Sequence, residues 1–280
     1  MTMRCIVLLT DFGIEDNYVG IMKGVIASIA PAAQMIDLSH SIPPQDIRQG
    51  AISLLTSYTY FPPDTIFVVV VDPGVGGVRR PVIARAGTYH FIAPDNGVLS
   101  YALNRDPNAQ VYEITSLQHR LSRVSNTFHG RDVFAPAAGY LCSGVTLEEL
   151  GAPLNDYVHL PPPRLEIGDS LITGEVISVD HFGNITTSIG LLTWQHAGEL
   201  LLTHPFESRS LPVSVRAQAA IRIDGSARIS GIVRTYSDVG AGELLALVGS
   251  SGFLEIAVNQ GDARSMLQAR VGSVVELHLG

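Results

Sequence analysis

The sequence predicts an α/β protein in two parts: a doubly wound domain with a mostly parallel sheet over residues 1–160, then a small antiparallel barrel or sandwich over 171–280. Three observations carry this reading. Apolar, β-branched runs alternate with amphipathic stretches through the first part, the pattern of repeated βαβ units. That pattern breaks at Leu160-Pro-Pro-Pro-Arg-Leu, because consecutive prolines admit neither a helix nor an inner strand, and 161–170 is expected to be a stiff linker. Beyond it the hydrophobic period is two, with turn residues between short runs. A chain of 280 residues is long enough for two domains of roughly 100–200 residues each.

Taken in order, residues 4–9 form a strand ending in Thr10-Asp11-Phe12-Gly13, and an amphipathic helix runs from about Tyr18 to Ile29, stopped by Pro31. Gln34 to Leu38 is a second strand, His40-Ser-Ile-Pro-Pro a loop, and Asp46 caps a helix reaching about Tyr58. Thr65 to Val71 is the most apolar run, suited to the centre of a parallel sheet. Pro81 to Ala86 and Tyr89 to Ile92 read as a hairpin, Asn96-Gly97 opens a helix to about Leu103, Gln110 to Ile114 is a strand and Arg131 to Leu141 a helix. Later strands are expected at 170–179, 185–188, 199–203, 229–236, 243–248, 253–257 and 273–279.

Charge and composition narrow the function classes. With 46% hydrophobic and 16% charged residues and a formal charge of -8, the chain lacks the basic surface that nucleic acid or an anionic membrane would require. A small cationic or zwitterionic ligand suits that balance better. Cys5 and Cys142 lie in apolar elements and read as reduced, buried thiols, which fits a cytosolic compartment. The opening residues contain too short an apolar run for a signal peptide, and no stretch approaches the roughly 20 apolar residues of a membrane span.

The chemistry-bearing residues gather at predicted loops. Asp72 ends the most apolar strand and is followed by a Pro/Gly-rich turn leading to Arg79 and Arg80, the place where open α/β sheets present ligands, although Asp-Pro-Gly is also ordinary turn chemistry. Asp11 sits after the first strand, where a carboxylate can accept from a ribose diol. Asp16, at the helix entrance, reads locally as an N-cap. His129 precedes a helix in Thr127-Phe-His129-Gly-Arg131-Asp132 and is a candidate proton acceptor, with a structural loop histidine as the alternative; His40 has the same ambiguity. In the second part, Asp180 and Asn184 occupy a hairpin tip where they could bind an amine and a ring edge, although Asp-x-x-Gly-Asn is also common turn chemistry; Ser250 lies in a Gly/Ser loop, and Tyr236 offers a ring for stacking. Asp11, Asp72, His40 and His129 are metal-ligand types but form no close pair, so an organic ligand is expected before a metal.

Together, Thr10-Asp-Phe-Gly-x-x-Asp16-x-Tyr-Val-Gly-x-Met-Lys-Gly24, His40-Ser-Ile-Pro-Pro-Gln-Asp46, Val71-Asp-Pro-Gly-Val-Gly76, Ala93-Pro-Asp-Asn-Gly97, Thr127-Phe-His-Gly-Arg-Asp132 and Asp180-His-Phe-Gly-Asn184 resemble one family. It is the S-adenosylmethionine (SAM) hydroxide adenosyltransferases, or adenosine-forming SAM hydrolases, relatives of the SAM-dependent fluorinase and chlorinase. The resemblance spans about Val7 to Ala257. It implies an α/β/α amino-terminal domain, a carboxyl-terminal β-barrel, and a homotrimer whose sites lie between one subunit's first domain and its neighbour's second. It also implies the reaction, in which water attacks ribose C5′ and methionine leaves, with no metal and no cofactor beyond SAM as substrate. By the same resemblance Asp72, Arg79 and His129 form the water-activating triad, and Asp11 and Asp16 meet the ribose. Asp180 and Ser250 then hold the methionine end, Asn184 contacts adenine and Tyr236 stacks on it. Ser251 stands where some relatives carry an Arg. A SAM- or nucleoside-binding sensor without turnover and a halide adenosyltransferase are the alternatives.

Overall fold

The computed structural model describes residues 4–196, 198–206, 213–225 and 227–279, which divide into two compact units, Met1–Leu160 and Pro161–Gly280. In the first unit the strands are β1 (Cys5–Thr10), β2 (Gln34–Ser39), β3 (Ile66–Val70), β4 (Pro81–Ala86), β5 (Tyr89–Pro94), β6 (Gln110–Ile114) and β7 (Gly151–Pro153). The helices are α1 (Tyr18–Ile29), α2 (Ile47–Leu55), α3 (Ser100–Leu103), α4 (Ala135–Cys142) and α5 (Leu147–Leu150). All seven strands join one sheet in the order β2-β1-β3-β5-β4-β6-β7. The sheet is mixed: β2, β1, β3 and β5 run parallel, and β4, β6 and β7 complete it antiparallel.

The unbroken apolar runs of β1 and β3 follow from helices on both faces, which bury every residue of these strands. On one face Met22 and Ile26 of α1 pack with Phe134 and α4 against Ile6, Leu8 and Val68. On the other, α2 approaches through Gly50, where an added Cβ would meet Val71 Cγ2 at 3.1 Å and Val98 Cγ2 at 3.2 Å. Phe67 stacks on Phe91 on that face, with Tyr58 edge-on to both rings. Because β1, β2, β3 and β5 are parallel, their carboxyl ends share one edge, which carries Asp11, His40, Asp72 and Asp95. The end of the unit is fastened to this edge: Arg80 donates to Asp95 and Asp156, while Asp95 and Ser100 accept from Val158 N and Leu160 N, each at 2.8 Å.

Among the described residues of the second unit, the strands pair antiparallel, and one short α-helix accompanies them. Its strands are β8 (Leu165–Ile167), β9 (Leu171–Val179), β10 (Ile185–Thr187), β11 (Leu192–Trp194), β12 (Glu199–Leu202), β13 (Val213–Arg216), β14 (Ala220–Ile223), β15 (Ala227–Ser230), β16 (Leu244–Val248), β17 (Leu254–Val258) and β18 (Val274–His278), with α6 at Ala263–Leu267. An eight-stranded sheet runs β15-β14-β18-β9-β10-β17-β16, with β8 added beside β9; β11, β12 and β13 form a small second sheet. Past β15, Val233 N donates to Ala246 O of β16 at 2.8 Å, so the large sheet nearly closes into a barrel around Ile172, Val176, Ile185, Ile221, Ile256 and Leu277.

Several elements depart from expectation. Leu165–Ile167, inside the stretch read as linker, is a strand paired to β9, because only Pro161 to Pro163 lack a backbone donor. The strand expected at 229–236 stops at Ser230, and Tyr236–Asp238 is instead a 3₁₀ turn closed by a capping box from Thr235 and Asp238. The helix after Asp46 ends at Leu55 and a 3₁₀ turn, Tyr58–Tyr60, follows it. Among the described residues no helix is long and apolar enough to cross a membrane.

Candidate active site

Asp72 lies just beyond β3, and the turn that follows brings Arg79 back against it. Arg79 Nε donates to Asp72 Oδ1 at 2.9 Å and its Nη2 to Oδ2, a two-pronged ion pair with the side chains only 9% and 5% exposed. The same Nη2 sits 2.8 Å from His129 Nδ1. A guanidinium can only donate, so Nδ1 accepts and the imidazole carries its proton on Nε2. Burial, then the Arg79 charge, holds the His129 pKa below its ordinary value. Phe134 packs under the Arg79 guanidinium, 5.5 Å from its ring centre. Asp72, Arg79 and His129, separated in sequence, thus form one cluster.

The cluster opens on a cavity of about 410 Å³ lined by Phe12, Tyr18, Val70, Asp72, Val75, Ser125, Thr127, Phe128, His129, Gly130 and Arg131. Phe12, Tyr18 and Phe128 form a mutual aromatic cluster with centroids 5.1 to 5.9 Å apart. The cavity therefore joins an apolar aromatic wall to a polar floor, which suits a flat ring carried on a polar group.

His129 stands at the entrance of a π-helical turn, Gly130–Phe134, that runs into α4. Such turns recur at functional sites because they displace one residue from the helical register. Here the displaced frame is held by Asp132, which is fully buried. Its carboxylate accepts from Arg131 Nε at 2.6 Å and from Ser125 N at 2.7 Å, and its backbone oxygen from Leu121 N. Burial alone would raise the Asp132 pKa, but Arg131 and the Ser125 N–H outweigh it and lower the value. Gly130 is closely packed at this point: a Cβ would lie 3.0 Å from Phe128 Cε2 and 3.1 Å from Met22 Sδ, so those side chains would have to give way. Ser125, Arg131 and Asp132 were not singled out as site residues from sequence; an adjacent Arg-Asp pair opening an apolar helix is the signal that marks them.

Asp11 is on the same sheet edge, with Oδ2 accepting from Gln45 N at 2.8 Å. Asp16 is exposed, and it does not cap α1 as its local sequence suggests: the N-cap position is Asn17, without a side-chain cap bond. His40 is not a surface loop residue but is 6% exposed, with Thr10 Oγ1 2.9 Å from its Nδ1.

The remaining candidates belong to the second unit. Asp180 ties its own hairpin: Oδ1 accepts from Phe182 N and Asn184 N, and Oδ2 from Asn184 Nδ2 at 2.9 Å. Asp180 and Asn184 are therefore brought together, by turn chemistry. Tyr236 donates to Glu255 Oε1 at 2.5 Å, with part of its ring exposed. Burial, with help from Asp180, raises the Glu255 pKa, and the Tyr236 hydroxyl pKa is raised by burial and by Glu255. Glu255 went unnoticed in the sequence because it reads as the outward residue of an alternating strand. Ser250 is exposed in the β16–β17 turn, where Gly249 N donates to Phe253 O. Among the described residues no group of three or more His, Cys, Asp or Glu is arranged to hold a metal ion.

Comparison with known proteins identifies the family of the chain. Residues 6–151 match the SAM hydroxide adenosyltransferase N-terminal domain and residues 174–276 the corresponding C-terminal domain. An (R)-S-adenosyl-L-methionine hydrolase of Thermus thermophilus is 35% identical, over 98% of this chain and 100% of its own. A fluorinase of an Actinoplanes species is 25% identical over 91% of this chain and 90% of its own. The crystal structure of an uncharacterised conserved protein from Thermotoga maritima superposes with a TM-score of 0.85 at 34% identity, covering 98% of this chain and 99% of the other. Matched along nearly all of its length, the chain belongs to the SAM hydroxide adenosyltransferase family.

Proposed function

We propose that the protein hydrolyses SAM to adenosine and L-methionine. The observation that carries this is the Asp72–Arg79–His129 cluster at the floor of a cavity with an aromatic wall. A sulfonium leaves readily, since its departure neutralises a charge, so the weak partner is water, which needs orientation and somewhere to place a proton. In this reading the water oxygen attacks C5′, the C5′–S bond breaks, and its electron pair leaves on sulfur as the methionine thioether. The proton lost by the new oxonium passes to the Asp72 carboxylate, whose oxygens keep lone pairs beyond those used by Arg79. His129, with its proton on Nε2, donates to the water oxygen and fixes its direction. Asp11 and Asp16 hold the ribose, Asp180 and Ser250 the methionine end, Asn184 the adenine edge, and Tyr236 stacks on the base.

The family resemblance supports a homotrimer with sites shared between neighbours, and no cofactor enters the scheme. The name of the Thermus relative points to the (R) sulfonium epimer as the preferred substrate. The fluorinase relative keeps a halide reaction in view, but a carboxylate lining the cavity repels an anion where a halogenase needs a dry, neutral cup.

Chromatography of a SAM incubation tests the proposal. Adenosine and methionine are expected in equal amounts, faster from the (R) epimer, undiminished by a chelator, with no 5′-chloro-5′-deoxyadenosine when chloride is supplied. Calorimetric binding of SAM without adenosine after long incubation would leave a sensor instead.

A further inference from the structure

His40 belongs to no part of the scheme above, yet it joins the ends of β1 and β2. Thr10, the last residue of β1, is fully buried, and its Oγ1 lies 2.9 Å from His40 Nδ1 and accepts from Phe12 N at 3.2 Å. On the other side of the ring, Nε2 is 2.9 Å from Asp37 Oδ1, while Asp37 Oδ2 accepts from Lys23 Nζ of α1 at 2.6 Å. Asp37 Oδ1 lies out of line for a hydrogen bond from Nε2, so the contact is electrostatic, and the carboxylate charge beside Nε2 favours the tautomer with its proton there. That leaves Nδ1 to accept from the Thr10 hydroxyl, whose oxygen is free for the Phe12 N–H.

Two further contacts converge on the same segment. His40 O accepts from Gly13 N at 2.8 Å, and the Asp11 carboxylate accepts from Gln45 N in the loop that His40 begins. A register shift in the β1–β2 ladder falls at this point, between Leu8 opposite Asp37 and Leu9 opposite Ser39. Bulges of this kind re-aim side chains beside functional sites. The segment held in this way carries Asp11 and Phe12, and beyond the half-buried Gly13, at φ +70°, Ile14 to Tyr18 are exposed. Phe12 is the part of the segment that lines the cavity.

We propose that His40 is a positioning residue for substrate binding. Acting through Thr10, it holds Asp11 and Phe12 where the ribosyl end of the substrate is received. This rests on the SAM hydrolase reading. It differs from a packing role in that it depends on the Thr10 hydroxyl and the His40 Nδ1 acceptor rather than on their volume.

The test uses the full-length protein with Thr10→Val, which keeps shape and removes the hydroxyl, His40→Ala, and the conservative partners Thr10→Ser and His40→Asn. Losing a hydrogen bond is expected to raise KM for SAM and Kd for adenosine about tenfold in Thr10→Val and His40→Ala. In the same variants kcat should change by less than about threefold, as for lost uniform binding, and both constants should return towards the wild type in Thr10→Ser and His40→Asn. Amide hydrogen exchange supplies a readout free of activity: Phe12 and Gly13 should exchange faster in Thr10→Val while β3 remains protected. Unchanged KM and Kd in a folded Thr10→Val, a fall in kcat alone, or failure of both conservative variants to recover would each overturn the proposal. A wild-type protein that neither turns over SAM nor binds adenosine would instead remove the functional reading, and this one with it.

Discussion

At the scale of single residues, His129 works in the proposed reaction only while Nδ1 has a lone pair for Arg79. Protonation would set two cations against each other at a contact of 2.8 Å. Burial and the Arg79 charge lower the His129 pKa, so the neutral form persists below the ordinary histidine value of about 6.5. The sign follows: with the folded-state pKa depressed, the contribution is complete above the unfolded value and is lost as pH falls through the folded one. A profile of kcat/KM for SAM should be flat from neutral pH to about 6.5 and decline only below it; a decline centred above that value would contradict the tautomer. His129→Ala should lower kcat by about 10²–10⁴-fold, as loss of a positioned acid/base group does, while adenosine still binds. For Asp72 the cleaner variant is Asp72→Asn, because Asp72→Ala strands a nearly buried Arg79 and is expected to cost about 3–5 kcal/mol of stability, read as a fall in the denaturation midpoint. Retained turnover in Asp72→Asn would move the proton acceptor elsewhere.

Elements bring these residues together, and here sequence and structure can be compared directly. The α1 limits Tyr18 and Ile29, the cap at Asp46 and the buried strand before Asp72 were legible because each has a local cause: periodicity, an N-cap oxygen, or burial on two faces. The π-helical turn at Gly130 was not, since its register is set by the buried Asp132 carboxylate gripping Ser125, a tertiary fact. The short strands Leu192–Trp194, Val213–Arg216 and Ala220–Ile223 were missed because three or four residues give too few alternations to stand out. Asp180 shows the opposite limit, for the motif reads equally as a turn and as a binding site, and the turn uses both carboxylate oxygens. A loop contact no pattern reveals joins the two halves of the triad: Gly76, at φ +77°, lies so close to the 125–128 segment that a Cβ would be 2.1 Å from Asn126 O. Gly76→Ala must push the Arg79 loop away from the His129 loop. A displacement of about 1 Å is enough to lower kcat by roughly 10²-fold. Adenosine affinity should hardly change, and kinetics alongside calorimetry would show whether the effect is confined to the chemical step.

For the whole molecule, the proposed site residues fall into two sets on different units. Asp11, Asp16, Asp72, Arg79 and His129 lie in Met1–Leu160, and Asp180, Asn184, Tyr236 and Ser250 in Pro161–Gly280. The trimeric reading assigns each site one set from one subunit and the other set from its neighbour, a head-to-tail arrangement that closes into a ring. Exposed apolar side chains are present on both units, among them Ile14 and Val78 on the first and Phe182 on the second. Subunit mixing decides whether sites are shared. Asp72→Asn removes the first set's carboxylate charge and Asp180→Ala the second's, so each protein alone should be nearly inactive. Unfolded together in equal amounts and refolded, they should regain activity, because about a quarter of neighbour pairs join an intact first unit to an intact second one in a closed heterologous ring. If both sets acted within one subunit, no pairing could restore a complete site, and the mixture would stay as inactive as its parents.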